Sequence, residues 1–220
     1  MEHISKDLER LNQGTHINPQ KSIEPPIDDV EEPRELKLER LRRALGLSSL
    51  EHTFDNFNRA PGTVAALEAF KSMVDGTARP MLLCYGGVGN GKTHLCEALA
   101  IELYKKGIRC PVTIWSDVMR MFKKGMHRGE PDDPSYDYLF ENFRRRERLI
   151  LDDVGMGSKD SAWEWCELED IINYRYRERL FTVMATNKGM DELPERVVSR
   201  FSDPEKGVVV LNKGKDYRTR

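Results

Sequence analysis

The chain has 220 residues, 39% of them hydrophobic and 33% charged, with a formal net charge of −2. That length holds one well-cored domain plus a small appendage rather than two full domains, and the near-neutral total points to no class of partner, so a nucleic-acid surface would have to come from local clusters of Lys and Arg. The four cysteines, Cys84, Cys96, Cys110 and Cys166, form no CxxC pair and have no histidine at zinc-ligand spacing, which argues for reduced thiols in a cytosolic compartment.

The opening MEHISKDLER has acidic residues and no apolar core, unlike a signal peptide. No apolar run approaches the ~20 residues that span a bilayer, so a soluble, cytoplasmic protein is expected. Residues 1–33 include NPQKSIEPPIDDVEEP, rich in Pro and acid, and cannot bury enough apolar area to offset their ordering entropy; disorder is expected there. Residues 34–50 read as an amphipathic helix with Leu38, Leu41 and Leu45 at helical spacing and Gly46 as its stop, packed on its own domain or docked on another protein.

Residues 51–220 alternate strands with helices. MLLCY (81–85), VTIW (112–115), LILDD (149–153), FTVMAT (181–186) and GVVVL (207–211) read as buried strands. Between them, Leu95, Leu99 and Leu103 mark a helix closed by two lysines and Gly107. Another is expected to start near a Ser116-Asp117 cap with Val118, Met121 and Phe122 on one face, and a third to run from about Ser161 to Arg179. Such alternation makes βαβ units: one α/β domain around a mainly parallel sheet covered on both faces.

Three strand ends carry the chemistry. GGVGNGKT (Gly86, Gly87, Val88, Gly89, Asn90, Gly91, Lys92, Thr93) follows the first strand and heads a helix, with His94 next. Its glycines let backbone N–H groups curl around phosphate, Lys92 reaches the β- and γ-phosphates of ATP, and the Thr93 hydroxyl ligates Mg²⁺. LILDDVG places Asp152 to hold Mg²⁺ and Asp153 to polarise a water for in-line attack. Thr186-Asn187 closes the fourth strand, where the Asn187 amide can orient that water. In LPERVVSRFSD, Leu193, Val197 and Phe201 form an apolar stripe beside Arg196 and Arg200, and Arg200, with Arg196 second, is the candidate arginine finger for a neighbouring subunit's nucleotide.

These motifs in this order, with TFDNF (53–57) upstream and GKDYR (214–218) at the far end, resemble the AAA+ helicase loaders of the DnaC and DnaI type, the transposition helper IstB and, more distantly, the initiator DnaA. The resemblance implies a five-stranded parallel sheet, ATP held between adjacent subunits of a homo-oligomer, Phe54 and Phe57 beside the adenine, and Arg200 acting in trans. Only about 20 residues follow Arg200, so no C-terminal helical lid is expected, as in the loaders.

RMFKKGMHRGEP (120–131) sets Arg120, Lys123, Lys124 and Arg128 around Phe122, the two ingredients of a single-stranded DNA contact, although Phe122 also fits the buried face of its helix. NFRRRER and Arg175, Arg177 and Arg179 add basic groups that also fit solvated faces. The expected function is an ATP-hydrolysing replication factor that binds single-stranded DNA and loads a replicative helicase. The alternatives are a helper that presents DNA to a transposase and a scaffold that binds ATP without hydrolysing it; a small-molecule kinase fits less well, lacking a substrate lid.

Overall fold

The computed structural model describes residues 33–76, 79–127, 129, 132–155 and 162–217. The expected disorder of 1–33 therefore falls, except for residue 33, outside the described residues. The chain divides between Lys37 and Leu38 into two units, and the elements that build the site belong to the second.

Helix α1 (Arg34–Ala44) precedes α2 (Val64–Val74), β1 (Met81–Tyr85), α3 (Lys92–Lys105), β2 (Val112–Ile114), α4 (Trp115–Met126) and α5 (Tyr136–Arg144). Then come β3 (Arg148–Val154), α6 (Ala162–Arg177), β4 (Phe181–Thr186), a short 3₁₀ turn, α7 (Glu195–Phe201) and β5 (Gly207–Leu211). The five strands form one parallel sheet in the order β2-β3-β4-β1-β5, as expected. β1 is an interior strand between β4 and β5, and its alternate residues feed two cores. Leu82 and Cys84 face α2 and α3 through Leu67, Phe70, Leu95 and Leu99. Met81 and Leu83 face α4 to α7 through Phe122, Leu168, Ile172 and Phe201. Burial on both faces explains why these strands read as unbroken apolar runs.

Several boundaries differ from expectation for a packing reason. The second strand ends at Ile114, and Trp115 already belongs to α4, so Ile114 rather than Ser116 occupies the cap position. Starting there puts Trp115, Val118, Met119 and Phe122 on one buried stripe and leaves Met121 exposed. Helices α2 and α5 carry no sequence expectation. The second is capped by Ser135, whose hydroxyl accepts from the Tyr138 N–H at 3.2 Å. No residue of α1 is buried and Leu38 stays 41% exposed, whereas Leu45, just after the helix, is buried in the core with Leu82 and Cys84.

Arg175 is not a surface cation but wholly buried, 0% exposed. Its guanidinium donates to Arg144 O at 3.0 Å, at the end of α5, to Arg146 O at 2.7 Å just beyond it, and to Phe181 O at 2.6 Å and Thr182 Oγ1 at 2.8 Å on β4. Burial lowers its pKa to about 10, still a cation at neutral pH. The residue ties α5, α6 and β4 together behind the site.

Candidate nucleotide site

The loop between β1 and α3 wraps around one side chain. Lys92 Nζ donates to Gly86 O at 2.9 Å, Gly87 O at 2.7 Å and Asn90 Oδ1 at 3.0 Å. Burial draws its pKa below the ordinary lysine range, with Asp152 and Asp153 pulling the other way. The N-cap of α3 is Gly91 at φ 91, a left-handed geometry, and a Cβ there would lie 2.7 Å from the Phe57 ring, so two demands select glycine. The loop is also held from behind. Asn90 Nδ2 donates to Asn212 O at 2.7 Å, and Asn212 Nδ2 returns a bond to Asn90 O at 2.9 Å, both buried.

Beside the loop, β3 ends in the two carboxylates. Asp152 is 1% exposed. Burial pushes its carboxyl up to about 6, the Thr93 hydroxyl opposing that rise. Among the described residues neither oxygen has a partner at hydrogen-bonding geometry, so Thr93 and the Asp153 N–H lie close without satisfying them. A buried carboxylate left unpaired next to a hydroxyl fits a hard divalent cation that keeps several waters, as Mg²⁺ does. Among the described residues no cluster of three His, Cys, Asp or Glu makes an all-protein metal cage, which that mode does not need. The β3–β4 register then slips between Leu151 and Val154, and Asp153 takes a left-handed φ of 54°. This bulge turns the Asp153 side chain into the cleft, where the Asn187 amide approaches its Oδ1 at 3.4 Å. Asn187 is placed by Thr186, whose hydroxyl donates to Val154 O at 2.6 Å and accepts from the Lys188 N–H at 3.0 Å.

The opposite wall comes from the segment before α2. Glu97 of α3, 1% exposed, accepts from the Ser48 N–H at 2.6 Å, the Ser49 N–H at 3.3 Å and His52 Nδ1 at 2.6 Å. His52 stacks on His94 with ring centres 4.5 Å apart, and His94 Nε2 donates to Thr53 O at 2.7 Å. Burial lowers the His94 pKa, favouring the neutral ring. Phe57 meets His94 edge-on and lines the cleft with His52, Asn56 and Asn58. Phe54 does not: it is buried in the core around α2 and α3. Sequence reasoning had no handle on Glu97, an acid inside a helical pattern whose partners lie 45 to 49 residues away. An amide directly after an apolar strand was the available signal for Asn212.

The cleft is thus lined by Lys92, Thr93, His94, Asp153 and Asn187 together, whereas Gly86 and Gly87 serve it by clasping Lys92. Arg200 lies elsewhere, on α7 against α6. Its Nε donates to Asn173 Oδ1 at 2.9 Å, and its guanidinium sits 4.7 Å over the Tyr176 ring. Arg196, on the same face, pairs with Glu169 at 3.7 Å.

The single-strand candidates fare differently. Phe122 is 1% exposed and packs against Tyr136, Phe140 and Phe143, so it cannot stack on a base; the buried stripe of α4 claims it. Arg120 pairs with Asp117 at 3.0 Å, and Lys123 with Glu164 at 2.8 Å while lying 5.5 Å over Trp163. Lys124 is exposed, and Arg128 lies outside the described residues. Among the described residues no helix is long and apolar enough to cross a membrane.

A five-stranded parallel sheet in which an interior strand feeds a phosphate-type loop, and a strand two places away ends in paired acids, defines a P-loop ATP-binding protein of the AAA+ class. The chain matches the family of IstB-like ATP binding proteins over residues 30–205 and belongs to it. It is 26% identical over 199 residues to the replicative helicase loader DnaC of Escherichia coli K12, covering 86% of this chain and 79% of that one. It is 28% identical over 166 residues to the chromosomal replication initiator DnaA of Aquifex aeolicus, covering 73% of this chain but only 39% of that protein. A structure of the initiator DnaA bound to AMPPCP and single-stranded DNA superposes with a TM-score of 0.63 at 25% identity, over 76% of this chain and 51% of that one.

Proposed function

We propose that the protein hydrolyses ATP at an interface between copies of itself and uses the cycle to load or remodel a replicative helicase on single-stranded DNA. One observation carries the reading. Asp153 and Asn187 share the cleft with Lys92, while Arg200 and Arg196 occupy a separate face. A cleft that supplies a base, an amide and one lysine to the γ-phosphate gains from a second cation as charge spreads over the transferring oxygens, and a second copy can bring it.

In this reading Lys92 exchanges its three loop acceptors for the β- and γ-phosphates, and the loop N–H groups hold the remaining oxygens. Asp152 and Thr93 hold Mg²⁺, which neutralises phosphate charge. Asp153 accepts a proton from the attacking water, and Asn187 orients that water. Phe57 packs on the adenine. Arg200 leaves Asn173 and Tyr176 to meet the γ-phosphate of the neighbouring copy. Lys124, with Lys123 and Arg120 once released from their acidic partners, contacts the DNA backbone. The ATP-bound assembly holds the partner and hydrolysis releases it, a shift of population set by the γ-phosphate.

The match to IstB-like proteins favours a second reading, in which the same engine presents DNA to a transposase. The test is ATP turnover per subunit across a dilution series, with and without oligo-dT, followed by capture on an ATP-loaded Asp153→Asn bait. Turnover that climbs with concentration and bait-bound hexameric helicase support the proposal, and bound transposase supports the second reading. Full turnover by a strict monomer defeats both.

A further inference from the structure

The segment after β5 runs along the phosphate loop. Beyond the Asn90–Asn212 pair, the Lys213 N–H donates to Gly62 O at 2.9 Å and the Tyr217 N–H donates to Gly89 O at 3.1 Å. Gly214 packs against Asn90 and Thr63, where a Cβ would come within 2.9 Å of the Thr63 methyl. The Asp216 carboxylate rests on Gly89 so closely that any Cβ at Gly89 would collide with it, and Gly89 sits at φ 71. Residues 212–217 therefore form a strap fixed to the loop by the side-chain amide pair at one end and a backbone bond at the other. The strap delivers one more side chain to the cleft: Tyr217 lines it, together with Phe57 and Val88.

We propose that Tyr217 is a nucleotide-binding residue that packs on the adenosine part of ATP, with the strap acting as a third wall of the cleft. The inference rests on the nucleotide-site reading above and extends it to a residue outside the P-loop, the acidic strand end and the TFDNF segment. Lys92, Thr93, Asp153 and Asn187 serve the triphosphate end. Away from them the cleft offers aromatic and amide groups, from His52, Asn56, Phe57 and Tyr217, with Ser48 and Val88 beside them. An aromatic ring held by its own backbone N–H on the loop loses little further freedom when a base packs against it.

The experiment compares ATP with inorganic tripolyphosphate, which has the phosphates but no base. Affinities of the wild type, Tyr217→Ala, Tyr217→Phe and Lys92→Ala are measured by calorimetry. Tyr217→Ala is expected to weaken ATP about thirtyfold, a middle value for losing one base–aromatic contact, and to leave tripolyphosphate unchanged. Tyr217→Phe should keep most of the ATP affinity. ATP binding by Tyr217→Ala equal to wild type overturns the proposal. So does an equal loss for both ligands, which would make the strap only a brace for the loop. Wild-type protein that binds ATP no better than Lys92→Ala would instead remove the nucleotide reading beneath it.

Discussion

In the proposed function Asp153 would carry two separable burdens, a chemical one and a conformational one, and a three-member series tells them apart. Its φ of 54° lies where L-residues other than Asn and Asp are disfavoured by roughly 1–2 kcal/mol. Asn tolerates that geometry, so Asp153→Asn should fold and melt like the wild type, bind ATP, and lose turnover by about 10²–10⁴, the usual share of a positioned base. Asp153→Ala should lose the same activity and in addition melt lower, by about 2–4 °C for each kcal/mol in a domain of this size. Asp153→Gly, free of the steric cost, should recover that melting loss without recovering turnover. The 3.4 Å contact to Asn187 is too long to add much to these differences. Thermal melts and phosphate release on the four proteins decide the matter. Near-normal hydrolysis by Asp153→Asn would falsify the water-activating role, and equal melting of the Ala and Gly variants would refute the strain argument.

Other expectations follow from the same geometry. Asp152 has its pKa raised from 3.8 to about 6, so its contribution to stability is present below 3.8 and is lost as pH rises through 6. At neutral pH the displacement is worth about 3 kcal/mol, and in protein free of nucleotide and metal, Asp152→Asn should melt above the wild type at pH 7.5, with the gap closing towards pH 4; a gap independent of pH contradicts this. Arg175→Met strands carbonyls at and just beyond the end of α5 and two acceptors on β4, and should lower stability by roughly 1–3 kcal/mol for each group left unpaired, read in denaturant melts. Mixtures of Arg200→Ala with Asp153→Asn subunits should regain part of the ATP turnover that each lacks alone, because mixed interfaces join an intact Asp153 to an intact Arg200. Absence of recovery in subunits shown to exchange argues against a trans cation.

The fold was legible wherever one physical demand ruled the text. Strands buried on both faces need apolar runs, and β1, β3, β4 and β5 were visible within a residue at each end. The P-loop was legible because its glycines answer local demands. α2 and α5 were missed because they are short and their faces are dictated by distant partners. Phe122 misled because a Phe among lysines reads as a stacking platform in one dimension, whereas helical periodicity turns it inward against Tyr136, Phe140 and Phe143. Arg175 misled in the same way: charge in a sequence says nothing about four acceptors gathered from β4 and the end of α5.

The site itself joins segments far apart in sequence, and each junction is a polar contact that no periodicity announces. Glu97 binds the Ser48–His52 segment to α3, the amide pair binds Asn212 to Asn90, and Thr186 binds Val154. All three tie points carry buried polar groups that are costly to leave unpaired, so each holds its segment in one position. The loop between β1 and α3 is therefore braced on two sides, while Lys92 satisfies its charge on loop oxygens that a triphosphate could replace in the proposed function. Rigid surroundings and one exchangeable cation let ligand binding change the loop's contacts without rebuilding the fold. The bulge at Asp153 and the strap at Tyr217 belong to the same plan: each uses backbone geometry at a strand end to aim one side chain into the cleft.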